Sequence, residues 1–311
     1  MMRLVEIDYA LVRADLDTGA PTNFNTCFHT EKDAPGFPVP TSRPYSFDKW
    51  LPLILESRGI DPSACQTVSF SRGQVATILS AARSSIQTGT QSRAYAEDLQ
   101  DEIYPIFDAL KFPLEGLFMR LGGCSLKDAA SDGQMAVFSA DDAVLQISTS
   151  LRAYITLTNI LNADQEFAML YCVPFDRRMD TKHEYRVFCV PETFKISTVS
   201  QYRWHKPWVF ADKHPQERTE IAGAILQGIK EIHASIVARL QARGVDELDD
   251  IIYTQGFSFD VLNIAGGDDF LLVELNSFGI RSACGSCLFQ WVTDQELMYG
   301  KDGPVEFRVA L

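Results

Sequence analysis

Three oxygen-bearing side chains toward the C-terminal end could do together what none does alone. Phe257-Ser258-Phe259-Asp260-Val261 and Leu271-Leu272-Val273-Glu274-Leu275-Asn276 each alternate with a period of two, the pattern of a strand with unlike faces. Phe257, Phe259 and Val261 share one face, and Leu271, Val273 and Leu275 the matching face of the second segment. Asp260, Glu274 and Asn276 then point the other way. Ala265-Gly266-Gly267-Asp268 between them is a hairpin signal. A hairpin closing near Gly266-Gly267 sets Asp260 about opposite Val273–Glu274 and gathers the three polar groups on one patch. Neighbouring carboxylates repel unless a cation or a proton lies between them. A hard ion such as Mg²⁺ takes oxygen ligands, one or two carboxylates with waters and substrate phosphates. The same alternation is also what an ordinary solvated hairpin shows, and spacing alone does not choose between the two.

The elements that would position this patch can be read from periodicity. Residues 1–45, rich in Pro, Thr, Asn and Asp, read as an irregular N-terminal arm. Phe47, Trp50, Leu51, Ile54 and Leu55 recur at helical spacing, and Gly59 stops that helix. Further helices are expected over 72–85, over 96–111, and from a capping box at Ser139-Ala140-Asp141-Asp142 for about twenty residues to Leu161. The clearest follows His214-Pro215, with Ile221, Ile225, Ile229, Ile232, Ile236 and Leu240 on one stripe and Gly244 closing it. Strands are expected at 117–121, entering the turn Gly122-Gly123, and at 167–173, 184–190 and 195–202. Mixed helices and strands without strict alternation predict an α+β protein with largely antiparallel sheets. The expected division is 1–45, a part over 46–165, and a C-terminal lobe over 166–311 that carries the hairpin.

Composition limits the functions. The chain has 311 residues, 46% of them hydrophobic and 22% charged, with a formal net charge of −13. An acidic chain does not bind nucleic acid backbones tightly, so no nucleic-acid partner is expected. The stripe over 221–240 reads as core, no membrane-spanning segment is expected, and the charged start Met1-Met2-Arg3-Leu4-Val5-Glu6 does not read as a secretory leader. Seven scattered cysteines fit a reducing, cytoplasmic setting. Cys284-Gly285-Ser286-Cys287 is a lone CxxC without a second pair for zinc. Cys124 in the glycine turn has no base near it in sequence that would make it a nucleophile. Trp204-His205-Lys206-Pro207-Trp208 is an aromatic-basic stretch that suits a partner surface or plain loop packing.

Four segments in order resemble the cell division cycle protein 123 family, a branch of the ATP-grasp superfamily. They are Phe118-Met119-Arg120-Leu121-Gly122-Gly123-Cys124-Ser125-Leu126-Lys127-Asp128-Ala129; Glu184-Tyr185-Arg186-Val187-Phe188-Cys189 with Ser200-Gln201-Tyr202; Phe259-Asp260-Val261 with Val273-Glu274-Leu275-Asn276-Ser277-Phe278-Gly279; and Leu288-Phe289-Gln290-Trp291 with Val305-Glu306-Phe307-Arg308-Val309. The resemblance implies an ATP-grasp fold in which two α+β lobes clamp a nucleotide, with ATP and Mg²⁺ as cofactors. It makes Asp260, Glu274 and Asn276 metal ligands. It sets Arg120, with the Gly122-Gly123 turn, against the α/β-phosphates, Lys127 on a mobile loop over them, and Arg186 at the γ-phosphate, with Glu184 orienting it or a ligand. Leu170, Tyr171, Cys172 and Val173 become the hinge strand that meets adenine. Independently of the family, an arginine on an apolar strand such as Arg120 needs a partner when buried, and glycines permit close backbone approach.

Two activities follow from the resemblance. One is an ATP-dependent ligase that activates a carboxylate as an acyl phosphate for an amine or other nucleophile, its acceptor unnamed by the sequence. The other is an ATP-dependent assembly chaperone that binds the gamma subunit of eukaryotic translation initiation factor 2. A binding module that has lost ATP is a third possibility. The chain departs from the family's pattern, as the translation-associated members show it, at Arg120, where they carry Lys, and at Gly122-Gly123-Cys124, where they carry Asn-Trp-Ser. It has Asn276-Ser277-Phe278 for their Asn-Pro-Phe, and Tyr171 and Val173 for their hinge Arg and Trp. These departures weigh toward the ligase.

Overall fold

The computed structural model describes residues 2–130, 135–163, 165–242 and 247–311. In chain order the elements are β1 (Met2–Ile7), α1 (Tyr9–Leu16), α2 (Phe47–Arg58), β2 (Gln66–Ser71), α3 (Arg72–Thr88), α4 (Ala96–Glu102), α5 (Tyr104–Asp108), β3 (Leu117–Leu121), β4 (Cys124–Ser125), α6 (Ala140–Thr149), α7 (Leu151–Asn162) and β5 (Phe167–Pro174). There follow β6 (Glu184–Cys189), β7 (Ile196–Gln201), α8 (Pro215–Ala242), α9 (Glu247–Gln255), β8 (Phe257–Asn263), β9 (Phe270–Ser277), α10 (Gln295–Met298) and β10 (Val305–Ala310). The protein is α+β. It divides into two compact units, Met1–Gly59 with Arg178–Leu311, and Ile60–Arg177. The expected boundaries at 45 and 165 do not coincide with these. β5, expected in the C-terminal lobe, belongs instead to the unit 60–177, because its partners are β2 and β3.

In the first unit a mixed sheet runs β1-β10-β7-β6-β8-β9. β1 lies parallel to β10, and β10 parallel to β7, while the remaining pairs are antiparallel. The first part of the expected irregular arm is therefore regular, β1 and α1, while 17–42 hold no helix or strand. Its strand forms only by pairing with residues about three hundred positions away, which local composition cannot reveal. An ion pair from Arg3 to the buried Glu306 joins the two strands. The open edge of β9 is covered from α2: Arg58 Nε and Nη2 donate to the carbonyls of Leu272 and Val273 at 3.2 and 3.1 Å, and Leu272 N–H donates to Ser57 Oγ at 3.0 Å. Satisfying an edge in this way blocks pairing with a foreign strand. Gly59, at φ +65°, ends α2 in the left-handed conformation that glycine adopts without strain.

α8 is long and apolar enough, by length and composition alone, to cross a membrane. Ala222, Ile225, Leu226, Ile229, Ile236 and Leu240 are nonetheless buried inside its unit, the one-sided pattern of an amphipathic core helix. Its expected stop, Gly244, lies outside the described residues. His233 stacks at 6.1 Å on Phe257 and Phe259, and Gly228 meets the ring of Phe270 so closely that a Cβ there would lie 2.1 Å from it.

In the second unit an antiparallel sheet runs β2-β5-β3-β4. Leu117, Met119, Leu121, Ala168, Leu170 and Cys172 turn one face into a core shared with the helices. Two expected helices are interrupted. Pro105 lacks an N–H and ends the first at the α4–α5 break, where it stands at the start of α5. Ser150 turns extended, with ψ at 117°, and its side chain accepts from Ala153 N–H to begin α7 afresh.

The close approach at Gly228 reverses an ordinary rule. Gly→Ala in an exposed helix position stabilises by roughly 0.5–1 kcal/mol, and Gly223, with no atom within 4 Å of its added Cβ, is such a position. Gly223→Ala should raise the denaturant midpoint. Gly228→Ala should lower it, with a loss of about 1–3 kcal/mol from overpacking.

Candidate functional site

The sheet of the first unit carries a polar row across its interior. β7, β6, β8 and β9 place Ser200, Arg186, Asp260 and Glu274 in direct register. Residues paired in this way share a face, so the row is a consequence of strand alternation and pairing. Asp260 is fully buried and Arg186 nearly so, whereas Glu274 and Asn276 are half-buried.

Arg186 and Asp260 form a fork-to-fork pair. Arg186 Nε donates to Asp260 Oδ1 at 2.8 Å and Nη2 to Oδ2 at 2.7 Å, while Nη1 donates to the Gly285 carbonyl at 2.9 Å. The guanidinium lies 5.0 Å from the centre of the Tyr202 ring. Burial by itself lowers the affinity of Arg186 for its proton. Asp260, with the thiols of Cys284 and Cys287, outweighs that, and the net shift is upward. Arg186 is therefore permanently charged. Asp260 and Gly285 thus orient Arg186 in the hydrogen bonds described. Glu184 sits on the same face two residues earlier, itself buried.

The hairpin forms as expected in one respect and differs in another. Asp260 pairs with Glu274, but the register shifts between Asp260 and Val261, so Val261 faces Leu272. Leu272 is thus fully buried in the place expected for Val273, which is only half-buried. The extra residue is a β-bulge, and it keeps Glu274 and Asn276 beside Asp260 while the rest of β9 changes phase. Asn276 Nδ2 lies 3.4 Å from Asp260 Oδ2 and 3.5 Å from Glu274 Oε1, so both carboxylates converge on one amide. These separations are long for an N–H···O bond.

The set fits a divalent cation by its chemistry. A half-turn about the amide's χ2 exchanges oxygen for nitrogen, and each Asp260 oxygen keeps a second lone pair beside the one given to Arg186. The donors are then three oxygens, which a hard ion selects. Among the described residues no group of three or more His, Cys, Asp or Glu side chains could hold a metal. Two carboxylates and an amide match a cation that arrives with a substrate's phosphates better than a resident one in a protein cage.

The second unit holds the other expected residues. Arg120 on β3 is buried, opposite Tyr171 on β5 and Ser125 on β4. Gly122-Gly123 is a two-residue turn between paired Leu121 and Cys124. A Cβ on Gly123 would meet only Thr156, at an ordinary 3.7 Å, so sterics do not require glycine there. Lys127 is exposed just after β4. The expectation that Leu170, Tyr171, Cys172 and Val173 offer backbone contacts to a base needs correction. Leu170, Tyr171 and Cys172 have β2 on one side and β3 on the other, and their backbone groups are committed to those ladders. Val173 pairs with Phe118 on β3 and extends past the last β2 partner. The side chains of Leu170 and Cys172 enter the core.

Strand alternation allows Arg186 to pair with a charge across the sheet, but that its partner is Asp260, and that Tyr202 and Gly285 complete its surroundings, was missed in the sequence. The available signal was that both strands carry one charged residue amid apolar ones. The CxxC segment meets this pair through the Gly285 carbonyl, and Cys284 Sγ lies 3.1 Å from Ser258 Oγ. Burial raises both thiols, Cys287 up to about 12.

Two outcomes follow. Burial raises the pKa of Cys27 and Cys65 as well, so it is access to the reagent that separates them from the buried Cys284 and Cys287. Maleimide at pH 8 should therefore modify Cys284 and Cys287 only after unfolding, while half-buried Cys27 and Cys65 react first, as mass spectrometry would show. Arg186→Met should destabilise by roughly 3–5 kcal/mol in denaturant unfolding, because it strands a buried carboxylate. The Arg186→Met/Asp260→Leu double variant should recover most of the loss.

No family model matches the sequence, and no curated protein matches it. Among solved structures the chain is similar to Cdc123 from Schizosaccharomyces pombe, at 16% identity over 91% of this chain and 99% of that one, with a TM-score of 0.55. A C-terminally truncated form of the same protein gives 14% identity with the same coverage and TM-score. The likeness is one of fold: this chain has the architecture of Cdc123.

Proposed function

We propose that the protein binds Mg·ATP and that Asp260, Glu274 and Asn276 hold the cation. The observation that carries this is the convergence of two carboxylates on Asn276, one of which, Asp260, a buried arginine keeps in place. An ion held there would neutralise charge on the phosphates that accompany it. The second unit brings phosphate-binding features of its own: the strand cation Arg120, the glycine turn and the exposed Lys127. The ATP-grasp assignment is part of this proposal, supported by the ordered motifs and by a fold like that of Cdc123.

Of the two uses of ATP that the motifs imply, the fold likeness favours the assembly role, with the gamma subunit of translation initiation factor 2 as partner. The ligase reading is favoured by Gly122-Gly123-Cys124 and Arg120, which differ from the assembly members where those are alike. In a ligase these residues would position an acyl acceptor and stabilise developing charge, and no protein nucleophile would be needed. Pull-down of the gamma subunit, set against phosphate release with carboxylates and amines, separates the two.

Glu274→Gln and Asn276→Ala test the cation site without unpairing Arg186. Each should weaken Mg·ATP binding about tenfold or more in calorimetry, the scale of one lost polar contact to a charged group, while melting within a few degrees of wild type. Wild-type affinity in both would contradict the assignment.

A further inference from the structure

The segment that follows the glycine turn is fastened down on both sides of Lys127. Leu126 is buried in the core of the second unit, and Ala129 packs partly buried against the same core. Ala129 N–H donates to the Leu126 carbonyl at 3.0 Å and closes the turn. Asp128 reaches the first turn of α7: its Oδ1 accepts from Ser150 Oγ at 2.6 Å and its Oδ2 from Arg152 N–H at 3.0 Å. Ala130 N–H donates to Thr149 Oγ1 at 3.0 Å, and Thr156 Oγ1 donates to Cys124 Sγ at 3.1 Å. The loop thus meets the α6–α7 break at three places, and Lys127 stands between a buried leucine and a helix cap.

We infer that Asp128 is a positioning residue for Lys127. The inference rests on the reading of Lys127 as a phosphate contact. An anion at a helix N-terminus accepts an otherwise orphaned N–H and is favoured by the dipole. Here the anion comes from the loop, so capping α7 and ordering the backbone of Lys127 are one event. A lysine side chain is long and rotamer-rich, and an ordered backbone leaves only its own torsions to fix when it meets a phosphate. The described residues of the loop thus form a platform that carries Lys127. Ser150 is the complement of this device. It interrupts α6–α7, caps Ala153 N–H with its oxygen, and gives its hydroxyl proton to Asp128.

A double-mutant cycle tests this on the full chain, with Mg·ATP as the probe. Asp128→Ala should weaken binding about fivefold, the factor that one ordinary helix cap amounts to. Lys127→Ala should weaken it by about tenfold or more, as for a hydrogen bond to a charged group. The double variant should bind no more weakly than Lys127→Ala alone, since Asp128 acts through Lys127. Asp128→Asn keeps an acceptor for Arg152 N–H and gains a donor for Ser150 Oγ, and should bind like wild type. Hydrogen exchange should show the amides of Arg152 and Ala130 opening faster in Asp128→Ala and unchanged in Asp128→Asn. Losses that multiply in the double variant, or wild-type affinity or exchange in Asp128→Ala, would overturn the assignment alone. A wild-type protein that binds no Mg·ATP would overturn the nucleotide reading as well.

Discussion

The first unit is arranged around a buried ion pair. Asp260 is fully buried on a central strand, and a carboxylate taken out of water is costly unless paired and hydrogen-bonded. Arg186 on the neighbouring strand meets that need with two parallel hydrogen bonds. Arginine suits the role better than lysine because its planar fork matches both oxygens at once. Its remaining contacts, to the Gly285 carbonyl and above the Tyr202 ring, tie the loop after β9 and the end of β7 to the same point. A pair of this kind is weak evidence for added stability, since an apolar replacement can be as stable. Its value is to hold one carboxylate at a fixed place.

That placement governs what the neighbouring strand can do. Glu274 and Asn276 approach a carboxylate whose charge is already partly balanced, which tempers repulsion on the face without abolishing its negative character. The bulge in β9 lets the strand bury Leu272 and still present both polar side chains to Asp260. Without it, alternation would have to give up either the apolar contact or the polar one. The loop after β4 in the second unit follows a similar logic, with a polar side chain joining two local tasks. There Asp128 satisfies a helix end and orders its own segment.

Much of this was legible in the sequence where the interactions are local. The hairpin, the amphipathic α8, the Gly59 stop and the 117–121 strand follow from periodicity and turn residues. The gathering of Asp260, Glu274 and Asn276 follows from counting by two on either side of Gly266-Gly267. What could not be read depends on distant partners or on phase. The N-terminal strand exists only because β10 lies beside it, and its polar surroundings hid it. The bulge moved the buried position from Val273 to Leu272, a one-residue shift that no alternation rule signals. Arg186, set by motif against a phosphate, proved to lie in register with Asp260, since cross-strand register is a property of the folded sheet. The hinge role at 170–172 came from the family resemblance, and the pairing of this run on both sides, with β2 and β3, is likewise a property of the folded sheet.

The most direct test is a crystal structure of the protein with Mn²⁺ and a non-hydrolysable ATP analogue, read by the anomalous signal of the metal. The proposed site predicts one Mn²⁺ peak within about 2.1 Å of oxygens from Asp260, Glu274 or Asn276, bridging them to phosphate. A metal peak elsewhere, or nucleotide bound with no metal near those three side chains, would contradict it.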